Sequence, residues 1–138
     1  MITAELGKQL MIRVEDHVGT LAEITNLVSP SGINMIALCA YAVGKTVAIM
    51  LVTDDNNATK KLLQKKGYRV EEEEIILLTV DNKPGSLQRV IDKIAQAGID
   101  LRLIYGSVEK NSEHSRIVLI SKNNLDAMMI IKTELERR

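Results

Sequence analysis

The 138 residues contain no tryptophan and no phenylalanine, and the aromatic residues are Tyr41, Tyr68 and Tyr105. So few rings argue against a site built on base stacking or on an aromatic cage. There is one cysteine, Cys39. An intrachain disulfide is therefore impossible, which fits a reducing compartment. Charge of one sign is lacking too, since 18 basic and 18 acidic residues cancel. Binding to a phosphate backbone needs a basic surface, so no nucleic acid is expected as main partner. No apolar run reaches the length of about 18 residues that a membrane helix needs, so no membrane partner is expected either. Residues 1–7 lack the basic start and apolar core of a signal peptide. These absences together read as a soluble, cytoplasmic protein.

What is present is a repeat. The run Ile76-Leu77-Leu78-Thr79-Val80 ends in the polar turn Asp81-Asn82-Lys83-Pro84-Gly85, and an amphipathic segment starts at Ser86-Leu87. Met11-Ile12-Arg13-Val14 followed by Glu15-Asp16-His17-Val18-Gly19-Thr20-Leu21 has the same layout. Residues 14–33 align with 80–99 without a gap. Val14 matches Val80, Gly19 matches Gly85, Leu21 matches Leu87 and Gly32 matches Gly98. A repeat of this kind sets the architecture. It divides the chain into units 1–72 and 73–138, each with a thin core and marginal stability alone.

Within the first copy, Leu10 to Val14 reads as a strand. Leu21, Ile24, Leu27 and Val28 recur at helical spacing, and Pro30 and Gly32 close that helix. Residues 33–43 and 46–52 read as strands around a Gly44-Lys45 turn. The run Asp54-Asp55-Asn56-Asn57 offers N-caps for a helix through Ala58, Leu62 and Leu63. Residues 68–71 form a short last strand, and residues 2–6 a separate edge strand. Four glutamates, Glu71 to Glu74, join the copies. Neighbouring carboxylates in a strand point to alternate faces, so this tract reads as a solvated junction and not as a cation site. The second copy repeats the order: strand 75–80, a helix with Leu87, Val90, Ile91 and Ile94, strands 99–108 and 115–120, and a helix over 125–136 capped by Asn123 or Asn124. Then the chain stops, so the second copy has no last strand. Each copy is β-α-β-β-α-β, the ferredoxin-like split βαβ arrangement, an α+β class with antiparallel sheets.

The strand, the turn Asp81-Asn82-Lys83-Pro84-Gly85-Ser86-Leu87, the helix and then Ala97-Gly98-Ile99-Asp100-Leu101 resemble an ACT domain, a ligand-sensing module of amino-acid metabolism. The resemblance covers nearly the whole chain as two tandem copies, like the stand-alone tandem ACT proteins. The first copy departs from the pattern at Val18, where the family has proline. The resemblance implies regulation by a bound amino acid. It also implies side-by-side pairing of units through their second strands into a larger sheet, with the ligand at that interface. It places the ligand against the turns, Asp16, His17, Val18, Gly19 and Thr20 in one copy and Asn82, Lys83, Pro84, Gly85, Ser86 and Leu87 in the other. The facing wall is a second strand, opening at Asn34-Met35 or Asp100-Leu101.

The residues suit such a ligand. A helix start offers free backbone N–H groups and a positive dipole end to a carboxylate, and Gly19 and Gly85 leave that backbone uncovered. Asp16 and Asn82 either meet an ammonium or take a local role, as N-cap or in an Asx-turn, and for Asp16 the local role is the stronger reading. Asn34 and Asp100 are placed to reach a ligand held by a partner copy. Met35, Ala37, Leu101 and Leu103 line an apolar pocket or face the helices.

No catalytic set is visible. His17, His114 and Cys39 are scattered, so a zinc site is not expected. There is no nucleophile elbow and no phosphate loop. The reading is a non-enzymatic regulatory protein without metal or cofactor. It binds an amino acid or similar metabolite between ACT-like units and controls a separate enzyme in trans. The alternative is a subunit that docks on a biosynthetic enzyme, as the small subunit of acetolactate synthase does in a similar family, without binding free amino acid. The open strand edge of the second copy predicts a homodimer or larger assembly, and residues 2–6, of the same or another chain, are candidates to fill that edge.

Overall fold

The computed structural model describes residues 2–107 and 110–136, of which 135 and 136 are backbone only. Two compact units emerge, one of Lys8–Glu73 and one of Met1–Gly7 with Glu74–Arg138.

The first unit holds most of β1 (Thr3–Glu15), α1 (Thr20–Val28), a 3-10 turn (Ser29–Ser31), β2 (Met35–Val43), β3 (Thr46–Thr53), α2 (Asn56–Lys65) and the start of β4 (Val70–Asp81). Its strand order is β2-β3-β1-β4. β1 and β2 both run antiparallel to β3, with Ile12 opposite Ile49 and Leu38 opposite Leu51. The apolar stripe of α1 follows from its 3.6-residue spacing. Ile24 is buried with Leu10, Ile12, Ile49, Leu51, Leu63 and Val70 to form the core, and Val28 on the same helix is buried as well.

The second unit holds the rest of β4, α3 (Ser86–Gln96), β5 (Leu101–Ser107), β6 (His114–Ser121) and α4 (Asn124–Glu136). Val108, expected in the strand, lies outside the described residues. β4 and β5 run antiparallel to β6, with Leu78 opposite Ile117 and Ile104 opposite Leu119. Its core gathers Ile76, Leu78, Val80, Val90, Ile94, Ile117, Leu119, Ala127, Met128 and Ile131.

Ile2 and Ala4 also pack in that second core. The chain's own first residues thus serve as the fourth strand that the second copy lacks, beside β4. Residues 2–6 are not a separate strand. They open a continuous 13-residue β1. Segment 1–7 accordingly belongs with the second half and not, as the repeat suggested, with the first. The reason is burial: Ile2 is 1% exposed there, which a free end would forfeit. The strands expected at 68–71 and 75–80 are likewise one, since β4 runs through Glu71 to Glu74 without a break.

Candidate functional site

The turn between β4 and α3 is where the chemistry-bearing residues of the second unit meet. The Asn82 backbone N–H donates to the Glu113 carbonyl at 2.9 Å, and its side-chain amide donates to the Ser112 carbonyl at 2.8 Å. Asn82 therefore ties its turn to the β5–β6 connection. The Lys83 N–H closes back on the Asp81 carbonyl at 2.9 Å. Gly85 then caps α3 in the left-handed conformation, φ 87°, with no side chain bonded to the helix start. A helix leaves its first N–H groups without intrahelical partners, so this end favours negative charge.

Asp81 forms an acidic centre beside that end. Its carboxylate lies 3.9 Å from Lys83 Nζ and 3.6 Å from His114 Nδ1. A cavity of about 100 Å³ opens here, lined by Val80, Asp81, Asn82, Lys83, Leu87, Ser115 and Ile117. It is well below the 300 Å³ or so of a drug-sized pocket and holds roughly three waters' share of liquid volume. Ser86, first residue of α3, is 3% exposed, and its hydroxyl is buried without a hydrogen-bond partner.

The first unit repeats the backbone but not the chemistry. Gly19 caps α1 with φ 93°. The Asp16 N–H donates to the Lys45 carbonyl at 2.7 Å. α1 receives no side-chain cap, so Asp16 does not serve as its N-cap. Thr20 Oγ1 donates to the His17 carbonyl at 3.1 Å and lies 2.8 Å from His17 Nδ1. Val18 is fully exposed.

The second-strand residues lie elsewhere. Leu101 packs on the second core and Met35 on the first, so of the two roles open to them they take the one that faces the helices. The Asn34 N–H donates to Asp54 Oδ1 at 3.0 Å, and Asp100 pairs with Lys122 at 3.4 Å. Leu101 is paired with Ser121, whereas Asp81 is paired with His114 at the opposite end of β6. Seven residue steps separate those ends, about 23 Å. Asp100 and Gly85 of one unit thus cannot touch the same small molecule.

Sequence reading missed Val80, Asp81, Ser115 and Ile117 as lining residues. Asp81 had a signal, its alignment with Glu15. Ser115 had none, because it lies outside the ungapped repeat. A larger groove of about 350 Å³ was also missed. It lies in the first unit along α2, between Ile33, Ala58, Leu62, Lys61 and Lys65, with Ser31 and Asp55 at its ends. Asp55 is engaged there as the cap of α2, accepting from the Ala58 N–H at 3.0 Å. Among the described residues no group of three or more His, Cys, Asp and Glu is placed to hold a metal ion. No helix among them is long and apolar enough to cross a membrane.

The sequence pattern of the ACT domain pair matches residues 5–136. The chain belongs to the ACT domain pair family. ACT domains bind small molecules such as amino acids and regulate enzymes. The fold is shared with solved structures. Protein BT0572 from Bacteroides thetaiotaomicron is 22% identical with a TM-score of 0.88, over 95% of this chain and 90% of that one. The regulatory subunit of aspartate kinase from Thermus thermophilus, in its ligand-free form, is 13% identical with a TM-score of 0.67, over 96% of both chains. E. coli aspartokinase III, in complex with aspartate and ADP, is 18% identical with a TM-score of 0.59, over 94% of this chain but 31% of that one. A search of curated proteins found no match.

Proposed function

We propose that this ACT pair is a non-catalytic regulator that binds an amino acid or similar small metabolite and controls a separate enzyme of amino-acid metabolism. The observation that carries the reading is the β4–α3 turn, where a carboxylate, an amide, an ammonium and an uncapped helix start border one small cavity. A zwitterion needs both signs of charge within a few ångströms, and this turn offers both. The turn residues 16–20 and 82–87 remain the proposed ligand contacts. Asn34 and Asp100 are proposed to contribute only across a second copy, because they lie far from the turn of their own unit, while Met35 and Leu101 serve their own cores. The single cysteine favours the cytoplasm.

We also propose a homodimer built on the sheet edges β2 and β5. Leu38 and Ile104, at matching positions on those strands, are 42% and 39% exposed. A docking subunit that ignores free amino acids is the second reading. Leu125 and Met129, one turn apart on α4, favour it, since they are 63% and 61% exposed.

A thermal-unfolding screen against the twenty amino acids, each at millimolar concentration, separates the two. A ligand at a hundred times its Kd stabilises the fold by about 2.7 kcal/mol, a shift of several degrees. A shift that Asp81→Asn abolishes supports the sensor. No shift with any amino acid rejects it in favour of the docking subunit.

A further inference from the structure

We infer that the groove along α2 in the first unit is a binding site for a small aliphatic carboxylate, whose chain lies on Ile33 and Leu62 and whose anion lies between Lys61 and Lys65. The inference does not rest on the sensor reading above. The groove lies away from the glycine turn. Ser31 and Ile33 line it, and they follow the far end of α1, whose nine residues span about 14 Å from Gly19.

The apolar floor reflects a difference between the two units. Asn56 and Asn124 hold equivalent positions at the start of α2 and α4, each bonded to the last residue of the strand before it. In that alignment Leu62 corresponds to Ile130, Lys61 to Met129 and Lys65 to Thr133, while the repeat matches Ile33 with Ile99. Ile99 and Ile130 pack against the second core. Ile33 and Leu62 are not among the residues packed on the first core, and they line the groove instead. Two half-buried aliphatic side chains are thus left with a face that an apolar chain can cover, which removes apolar surface from water.

The rim supplies the charge. Lys61 and Lys65 stand one turn apart on α2, where like charges repel and an anion between them is stabilised. Among the described residues neither has an ion-pair partner, whereas the neighbouring Lys60 is paired with Glu72 at 3.2 Å. α2 itself carries no acidic residue. The carboxylate that lines the groove, Asp55, is engaged as the cap of α2, accepting from the Ala58 N–H at 3.0 Å. Six residues separate it from Lys61, about 9 Å along the axis. The groove therefore answers an anion and an apolar chain but not an ammonium, so its ligand is a simple carboxylate and not an amino acid. A volume of about 350 Å³ equals roughly a dozen waters' share of liquid volume, which suits a chain of about six to ten carbons. At the matching rim positions α4 carries Met129 and Thr133, so the second unit lacks this charge there.

Backbone amide shifts in two-dimensional NMR on the intact chain, with sodium octanoate as the probe, test this. The expected result is saturable shifts at Ile33, Ala58 and Leu62, with none at the matching Ile99, Asp126 and Ile130. Octylamine keeps the chain without the anion and acetate the anion without the chain, and both are expected to leave the groove silent. The double variant Lys61→Met/Lys65→Thr, which installs the residues of α4, is expected to bind octanoate about threefold to tenfold more weakly, the scale of two exposed ion pairs. Octanoate shifts that are absent from the groove, or equal at the two helices, overturn the inference. So does octylamine or acetate binding there as tightly as octanoate, because then the lysines or the apolar floor select nothing. A double variant that keeps the natural affinity overturns the assignment of Lys61 and Lys65.

Discussion

Asn56 and Asn124 make the same three hydrogen bonds in the two units. The Asn56 side-chain oxygen accepts from the Thr53 N–H at 3.0 Å and from Thr53 Oγ1 at 2.8 Å, and its amide donates to the Lys8 carbonyl at 2.9 Å. Asn124 accepts from the Ser121 N–H at 2.8 Å and Oγ at 3.1 Å, and donates to the Glu74 carbonyl at 3.1 Å. Each asparagine holds the end of one strand, the start of a helix and the neighbouring long strand together. Asn56→Ala or Asn124→Ala leaves a strand N–H and a carbonyl unanswered. Each is expected to cost about 1–3 kcal/mol, read as a lower midpoint in urea unfolding.

Tyr68 Oη donates to Glu23 Oε1 at 2.6 Å. Burial first, then that hydrogen bond and the carboxylate charge, push the phenol up to about 12 from 10.0. The folded value lies above the unfolded one, so the neutral phenol is the form that stabilises the fold. That contribution is complete below about pH 10 and is lost as pH rises towards 12. Tyr68→Phe is expected to cost at most about 1 kcal/mol at neutral pH. It should also flatten the stability profile between pH 10 and 12, measured by denaturant unfolding at each pH.

Gly85 needs its left-handed backbone, φ 87°, but a Cβ there would meet nothing within 4 Å. Gly85→Ala is therefore expected to cost about 1–2 kcal/mol from backbone strain alone. Gly85→Asn is expected to cost less, since asparagine tolerates this region. Equal losses for the two variants would show that crowding matters there after all.

Gly106 fails for the opposite reason. A Cβ at this position on β5 would collide with Ile117 Cδ1 and lie 2.9 Å from the Arg116 carbonyl. Gly106→Ala is expected to destabilise by about 1–3 kcal/mol through overpacking. Ile117→Val combined with it should recover part of the loss, because the colliding methyl is removed.

Leu38→Lys and Ile104→Lys place charge on the two edge strands. Charged edges oppose strand pairing, so light scattering should report a smaller species for these variants than for the natural protein. A natural protein that is monomeric at micromolar concentration would sink the dimer proposal.

The repeat made the split βαβ frame readable from the sequence. Strand and helix periods are local properties, and turns such as Pro84-Gly85 punctuate them. Leu21, Ile24 and Leu27 of the first stripe and Leu87, Val90 and Ile94 of the second therefore lie on the cores as spacing predicts, while Ile91 does not join the second core. The family followed from the same turn. Beyond that range sequence had no purchase. The open edge made residues 2–6 candidates to complete the second sheet, but that those of the same chain do so depends on burial of Ile2 against distant residues of the second half, a long-range contact that no local pattern encodes. That Ser115 lies beside Asp81 depends on strand register. That Thr20 is satisfied while Ser86 is not depends on where one imidazole ring lies. Local chemistry chose the elements; packing and pairing between distant segments decided which groups meet, and so where a ligand can bind.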